Sequence, residues 1–226
     1  MKSRTISLLI LFILFSKSVL SESTDFGIWY KLDVKYSLTK KLEVDLSPMI
    51  RTFRNGSKIE NAFLEAGVSY DLLKYLTIAG AYRFNITLEN DGALHNRYKW
   101  IGDIKGTGEV GRFEFSGRFR FQRQDKTYFE DTNDKIPDYY GRIKIKTEYK
   151  TPSFPINPNI SFETFSRMFE AVEKRVDKYR IGLGFEYSLN KKNSFEVEYM
   201  YEWDYFPQVK RMNLVVLTYD LKFKRN

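Results

Sequence analysis

Residues 194–205 read SFEVEYMYEWDY. Phe195, Val197, Tyr199, Tyr201, Trp203 and Tyr205 share one parity, and Glu196, Glu198, Met200, Glu202 and Asp204 share the other. Two residues is the side-chain period of an extended strand, so the stretch predicts a strand with rings on one face and carboxylates on the opposite face. The same pattern recurs in GRFEFSGRFRFQR, residues 111–123. There Phe113, Phe115, Phe119 and Phe121 oppose Arg112, Glu114, Ser116, Arg118, Arg120 and Gln122.

Alternation extends over most of the chain after residue 27. Ile28, Tyr30, Leu32 and Val34 oppose Trp29, Lys31, Asp33 and Lys35; Leu76, Ile78, Gly80, Tyr82 and Phe84 oppose Thr77, Ala79, Ala81 and Arg83. Tyr98, Trp100 and Ile104 oppose Lys99, Asp103 and Lys105, and Ile143 and Ile145 oppose Arg142, Lys144 and Lys146. Turn chemistry separates the runs: an Asn-Gly pair in RNGSK at 54–58, polar loops at 87–96 and about 124–138, and the prolines 152, 155 and 158, which lack a donor for the ladder. FEAVEKRVDK at 169–178 could form a helical turn within a loop.

Counted this way there are about eleven strand-like segments of roughly 9 to 13 residues, longer than the 5 to 6 usual in soluble sheets and matched to a tilted bilayer crossing. A soluble sandwich would bury the apolar parity and wet the charged one. Three features favour the opposite arrangement, with the apolar parity facing lipid and the charged parity facing a lumen. The segments are long, short turns alternate with longer polar loops, and rings cluster near strand ends, where aromatic side chains settle at the headgroup level. Closure also leaves no unpaired edge in hydrocarbon. The predicted fold is an all-β, antiparallel, outer-membrane-type barrel. Single-chain bacterial barrels carry an even number of strands, so ten or twelve are expected, with the miscount near 26–36 or 151–178.

The chain begins MKSRTISLLILFILFSKSVLSES: Lys2 and Arg4, then an apolar run from Ile6 to Phe15, then small residues before a cut after Ser21. That is the layout of a secretory signal peptide, too short to span comfortably. Residues 1–21 are therefore read as a leader and 22–226 as one barrel domain. Removing Lys2, Arg4 and Lys17 from the formal net charge of +8 leaves +5, with signs interleaved, which argues against a nucleic-acid groove. There is no cysteine for acylation, disulfides or thiolate chemistry.

Parity assigns candidate lumen-lining residues: Glu65 and Arg83; Asp103 and Lys105; Arg112, Glu114, Arg118 and Arg120; Arg142, Lys144 and Lys146; Glu163 and Arg167; Arg180 and Glu186; and Glu196, Glu198 and Glu202. Basic and acidic rows can neutralise one another across the interior, but spacing fixes no pairs. Tyr98, Trp100, Tyr201, Trp203, Tyr205, Tyr219 and Phe223 are candidate interface aromatics.

DFGIWYKLDVKYSLTKKLEVDLSPMIR (25–51), LEAGVSYDLLKYLTIAGAYRF (64–84), FSGRFRFQR (115–123), YRIGLGFEYSLNKKNSFEVEYMYEWDY (179–205) and LVVLTYDLKF (214–223) resemble an uncharacterised Bacteroidota family, domain of unknown function 2490. The resemblance implies an outer-membrane barrel with no assigned activity and no catalytic residues to carry over. It also implies a Gram-negative, Bacteroidota outer membrane. The last strand looks like an insertion signal ending in an aromatic, although Lys224, Arg225 and Asn226 follow Phe223.

The expected partners are outer-membrane lipid and, during biogenesis, periplasmic chaperones and the barrel-assembly machinery. No nucleic acid, cofactor or metal is expected. His95, the only histidine, has Glu89, Asp91 and Asn96 close in sequence and could act as a base in an outer-membrane hydrolase. A solvent-facing loop histidine is the plainer reading. Glu130, Asp131, Asp134 and Asp138 fit no calcium loop, and Gly102, Gly106, Gly108 and Gly111 have no following helix to make a phosphate cradle. Three functions stay open: a narrow channel or porin for small solutes with a charged lumen, a closed structural or surface-interaction barrel, and the hydrolase.

Overall fold

The computed structural model describes residues 24–89, 91–127, 137–169, 176–205 and 209–224. The expected leader, Glu130, Asp131 and Asp134, and most of the expected helical turn lie outside the described residues; Val176–Lys178, which closed that turn, is strand. Eleven strands are described: β1 (Thr24–Ser37), β2 (Leu42–Phe53), β3 (Lys58–Leu73), β4 (Leu76–Leu88), β5 (Leu94–Val110), β6 (Phe113–Lys126), β7 (Asp138–Tyr149), β8 (Ile156–Met168), β9 (Val176–Ser188), β10 (Asn193–Asp204) and β11 (Lys210–Lys224). Each pairs antiparallel with the next, and β1 closes the barrel against β11.

The closing seam is parallel. It runs in unbroken register from Thr24 beside Arg211 to Ser37 beside Lys224. This corrects the expectation of an even count and of a wholly antiparallel ring. A parallel ladder satisfies backbone donors and acceptors at slightly lower stability per residue, so closure does not require an even number. Neither suspected region hides a second strand among its described residues: β1 and β8 are each continuous. One consequence is that Thr24 and Lys224 lie at opposite ends of the barrel.

The two ends differ in their connections. One carries the short links at 38–41, 74–75, 111–112, 150–155 and 189–192, and the other carries 54–57, 89–93, 127–137, 169–175 and 205–209. The Asn-Gly signal gives a tight link in which Arg54, Asn55 and Gly56 all take positive φ. It is held by the Asp25 carboxylate, which accepts from the backbone N–H of Arg54 (2.9 Å) and Asn55 (3.0 Å). Pro158 lies in β8 just beyond the last β7 partner, Asn159, where no ladder donor is needed on that side. Pro48 has the same effect within β2, whose ladder with β1 is interrupted between Met49 and Leu46.

The apolar parity faces outward. Ile104, Ile143, Ile145, Ile160, Ile181 and Leu183 are all more than half exposed, while Arg120, Glu163, Glu198 and Glu202 on the opposite parity are buried. This is inverted relative to a soluble sandwich. The middle of the outer surface mixes aliphatic residues with rings such as Phe119, Phe162 and Tyr199, and further rings, including Tyr36, Tyr75, Phe113 and Phe223, lie at the short-link end. The largest buried apolar cluster sits inside the ring, on β1, β2, β3, β10 and β11. It comprises Trp29, Met49, Phe63, Met200, Met212, Leu214 and Val216.

Candidate functional site: a charged lumen under an arginine–aromatic belt

Register turns the parity rows into specific ion pairs. Glu65 on β3 sits opposite Arg83 on β4 and accepts from its Nε at 2.6 Å. Asp103 on β5 sits opposite Arg120 on β6 and receives both Nε (2.7 Å) and Nη2 (2.6 Å). Arg180 on β9 lies between Glu163 on β8 and Glu202 on β10, donating to Glu202 at 2.6 Å with Glu163 at 3.6 Å. Guanidinium forks suit such paired carboxylate contacts, and charge assistance makes them stronger than neutral hydrogen bonds.

Other pairs cross the interior. Lys146 on β7 reaches Glu196 on β10 at 2.5 Å, and Asn159 donates to the same oxygen at 2.9 Å. Ser161 on β8 donates to Glu198 on β10 at 2.5 Å. Gly182, on the strand between them, makes that contact fit: a Cβ there would collide with the Glu198 carboxylate and stand 2.6 Å from Ser161 Oγ.

At mid-height, rings and guanidinium groups stack. The Arg51 guanidinium lies 4.0 Å from the Trp29 ring centroid and 5.0 Å from that of Phe63. Arg83 covers Phe63 at 3.9 Å. Arg180 covers Trp29 at 4.9 Å and Phe165 at 4.4 Å, and Arg142 covers Phe165 at 4.3 Å. Cation–π attraction is strongest where water is excluded, as it is beside the Met200–Met212–Leu214 cluster. Below this belt a cavity of about 600 Å³ runs to Glu114, Lys150, Glu186 and Lys222 at the short-link mouth. Its lining ends at the Arg51, Phe63, Arg83 and Arg180 level, above which Asn61, Asn85, Gln122 and Gln124 are buried.

Two groups in the links have shifted pKa values. Lys150 loses solvation, but its hydrogen bond to Glu148 (2.9 Å) and contact with Glu114 (3.0 Å) outweigh that and hold its pKa above the ordinary lysine value. Asp91 accepts from the Ala93 N–H (2.9 Å) and sits 2.6 Å from His95 Nε2, which together hold its carboxyl below the usual range.

Of the eighteen residues assigned to the lumen by parity, fourteen line this cavity. Asp103, Arg167 and Glu202 share the inward parity but stand outside its lining, engaged with Arg120, Asp177 and Arg180. Arg112 departs from the assignment. The two-residue link Gly111–Arg112, with Gly111 at φ 61°, lifts it off the strand, and it is exposed and donates to Tyr149 Oη at 3.2 Å. Trp29, Lys31, Asp33 and Lys35 of β1, together with Arg51, Met49 and Phe63, also line the cavity and were not among the residues assigned to it by parity. Their signal was present, since an aromatic or methionine in the charged parity marks a place where the interior is filled rather than wet.

The candidate interface aromatics point outward. Trp100 packs edge-on against Tyr82 (4.8 Å), Trp203 stacks on Tyr205 (4.9 Å), and Tyr205 meets Tyr179 (5.6 Å). Tyr98 packs on Phe84, whereas Tyr201, Tyr219 and Phe223 lie elsewhere on the outer parity. The expected 87–96 loop is shorter, since β4 continues to Leu88 and β5 starts at Leu94. Glu89 accepts a two-pronged contact from Arg97, at 2.6 Å for each hydrogen bond.

The family model described as "Protein of unknown function (DUF2490)" matches residues 26–213. The chain belongs to that family. No curated protein matches the sequence. Among solved structures, this DUF2490 barrel is similar to the NanC porin in its rhombohedral crystal form, with TM-score 0.50 and 15% identity over 79% of this chain and 87% of that one. It also aligns with the β domain of the Bordetella autotransporter BrkA, with TM-score 0.45 and 11% identity over 79% and 82%. The porin likeness is one of fold, an all-β closed barrel of the outer-membrane type.

Proposed function

We propose that this DUF2490 barrel resides in the outer membrane and is a narrow channel for small anionic solutes, held shut at mid-height by the Arg51–Trp29–Phe63 stack. The observation that carries this reading is the cavity itself, about 600 Å³ in volume and lined by thirteen basic and nine acidic side chains. In barrels of this class the short links face the periplasm, so the cavity opens to that side and the belt separates it from the loop-side half. The excess of cations over the lining as a whole sets an electrostatic preference for anions within the cavity. Residues 1–21 serve as the leader that directs the chain to export, after which periplasmic chaperones and the assembly machinery insert it. A Bacteroidota source rests on the sequence resemblance alone.

Planar-bilayer recording tests the channel. Wild-type barrel is expected to be silent or to open rarely. Arg51→Ala removes the cation that holds Trp29 and Phe63 together and is expected to give reproducible steps, with a reversal potential shifted toward the anion in a salt gradient. Silence from a folded, heat-modifiable Arg51→Ala sample would leave the closed barrel, with its role carried by the loops, in place of the channel.

A further inference from the structure

Three cations stand side by side on one wall of the cavity. Lys105 on β5 is the register partner of Arg118 on β6, and Arg118 is the partner of Lys144 on β7. Adjacent strands lie about 4.8 Å apart, so the row spans roughly 10 Å between its outer backbones. All three line the cavity, and Lys105 is exposed within it.

The carboxylates around this row are already committed. Glu163, directly opposite Lys144 on β8, faces Arg118 (3.0 Å), Arg142 (2.8 Å) and Arg180 (3.6 Å). Asp103, two residues from Lys105, is engaged through both oxygens by Arg120. Glu114 pairs with Lys150 at 3.0 Å and Glu198 with Ser161 at 2.5 Å. Across β4 the partner of Lys105 is Thr77, which brings no charge. Among the described residues, neither Lys105 nor Lys144 has a carboxylate within 4 Å, although Glu114 acts on the first and Glu198 and Glu163 on the second from farther off. Lys35 of β1 and Lys146 of β7 add positive potential at Lys105.

We infer that the Lys105–Arg118–Lys144 row is a binding site for a small solute carrying two or more closely spaced negative charges, a diphosphate or dicarboxylate in size and charge. Arg118 already gives Nη2 to Glu163 at 3.0 Å, but among the described residues its buried Nε has no partner and is left for one oxyanion, while the flanking ammonium groups act as movable point charges on its neighbour. A single monoanion neutralises only part of the row, so the site discriminates by charge number. This deepens the channel reading, because the row stands on the wall that an entering solute passes, yet binding and conduction are separable.

The test is calorimetric titration of the full chain, folded in detergent micelles at about 0.15 M salt, with inorganic pyrophosphate and then inorganic monophosphate as probes. Pyrophosphate is expected to bind at least tenfold more tightly than monophosphate. Lys105→Gln and Lys144→Gln should each weaken it about tenfold, while Lys222→Gln, a cavity lysine away from the row, should change it less than twofold. Lys105→Arg/Lys144→Arg keeps the charge and should retain binding, which separates loss of the site from loss of folding. Absence of binding to folded wild type, or equal weakening by all three glutamine variants, would overturn the site and leave hydrated lysines in a wet lumen. Pyrophosphate binding without conductance from Arg51→Ala would keep the site and discard the channel; conductance without binding would do the reverse.

Discussion

Glu163 shows how a single residue sets the electrostatics of the lumen. Its two oxygens face Arg118, Arg142 and Arg180, and its side chain is 6% exposed. Removing one partner of a buried ionic network leaves charge with neither water nor counterion, a loss of about 3–5 kcal/mol. Glu163→Gln should therefore lower the denaturant midpoint of the refolded barrel, with a loss of unfolding free energy of that order. Glu114→Gln at the wetter mouth, where the side chain is 32% exposed, should cost less than about 1 kcal/mol. Equal shifts from the two variants would mean that lumen water screens the deep network as well as the rim.

At the scale of elements, the seam is the feature that alternation did not foresee. β1 and β11 run parallel for fourteen register pairs, with Ile28 beside Val215 on the outer parity. Neighbouring backbones in a sheet fall within disulfide reach, and the absence of native cysteine removes competing thiols. Ile28→Cys/Val215→Cys should cross-link on oxidation and abolish the heat-dependent gel shift of the barrel. Ile28→Cys/Leu221→Cys, displaced by six register steps, should not. Cross-linking in the second variant alone would place β1 antiparallel to β11. Loop lengths also separate the ends at this scale, putting the cavity mouth beside the short links and the belt between it and the longer ones.

The whole molecule inverts a soluble protein's surface, with apolar side chains outside and charged ones within. Nitroxides at Phe119 and Tyr199, both more than 40% exposed on the outer parity, should report strong oxygen and weak nickel-chelate accessibility in bilayers. Labels at Arg118 and Glu198 should report a polar, restricted interior. A reversed pattern would turn the barrel outside in.

The amino-acid sequence by itself determined which side chains share a face, because period two is imposed by the strand backbone, and so Phe113–Phe121 and Tyr199–Trp203 were legible as an outer surface. The same rule placed most cavity-lining charges on the inner side and failed at Arg112, where a two-residue link rather than a strand sets the direction. Pairing was not legible. Glu65 meets Arg83 through hairpin register, Lys146 meets Glu196 only because the sheet curls until β7 faces β10, and that Lys105 and Lys144 have no carboxylate within 4 Å among the described residues depends on which carboxylates Arg118, Arg120, Arg142 and Arg180 take first. Strand number parity and the belt over Trp29 likewise belong to closure, since only the closed ring brings β1 beside β11 and stacks guanidinium groups from β2 and β9 on one indole.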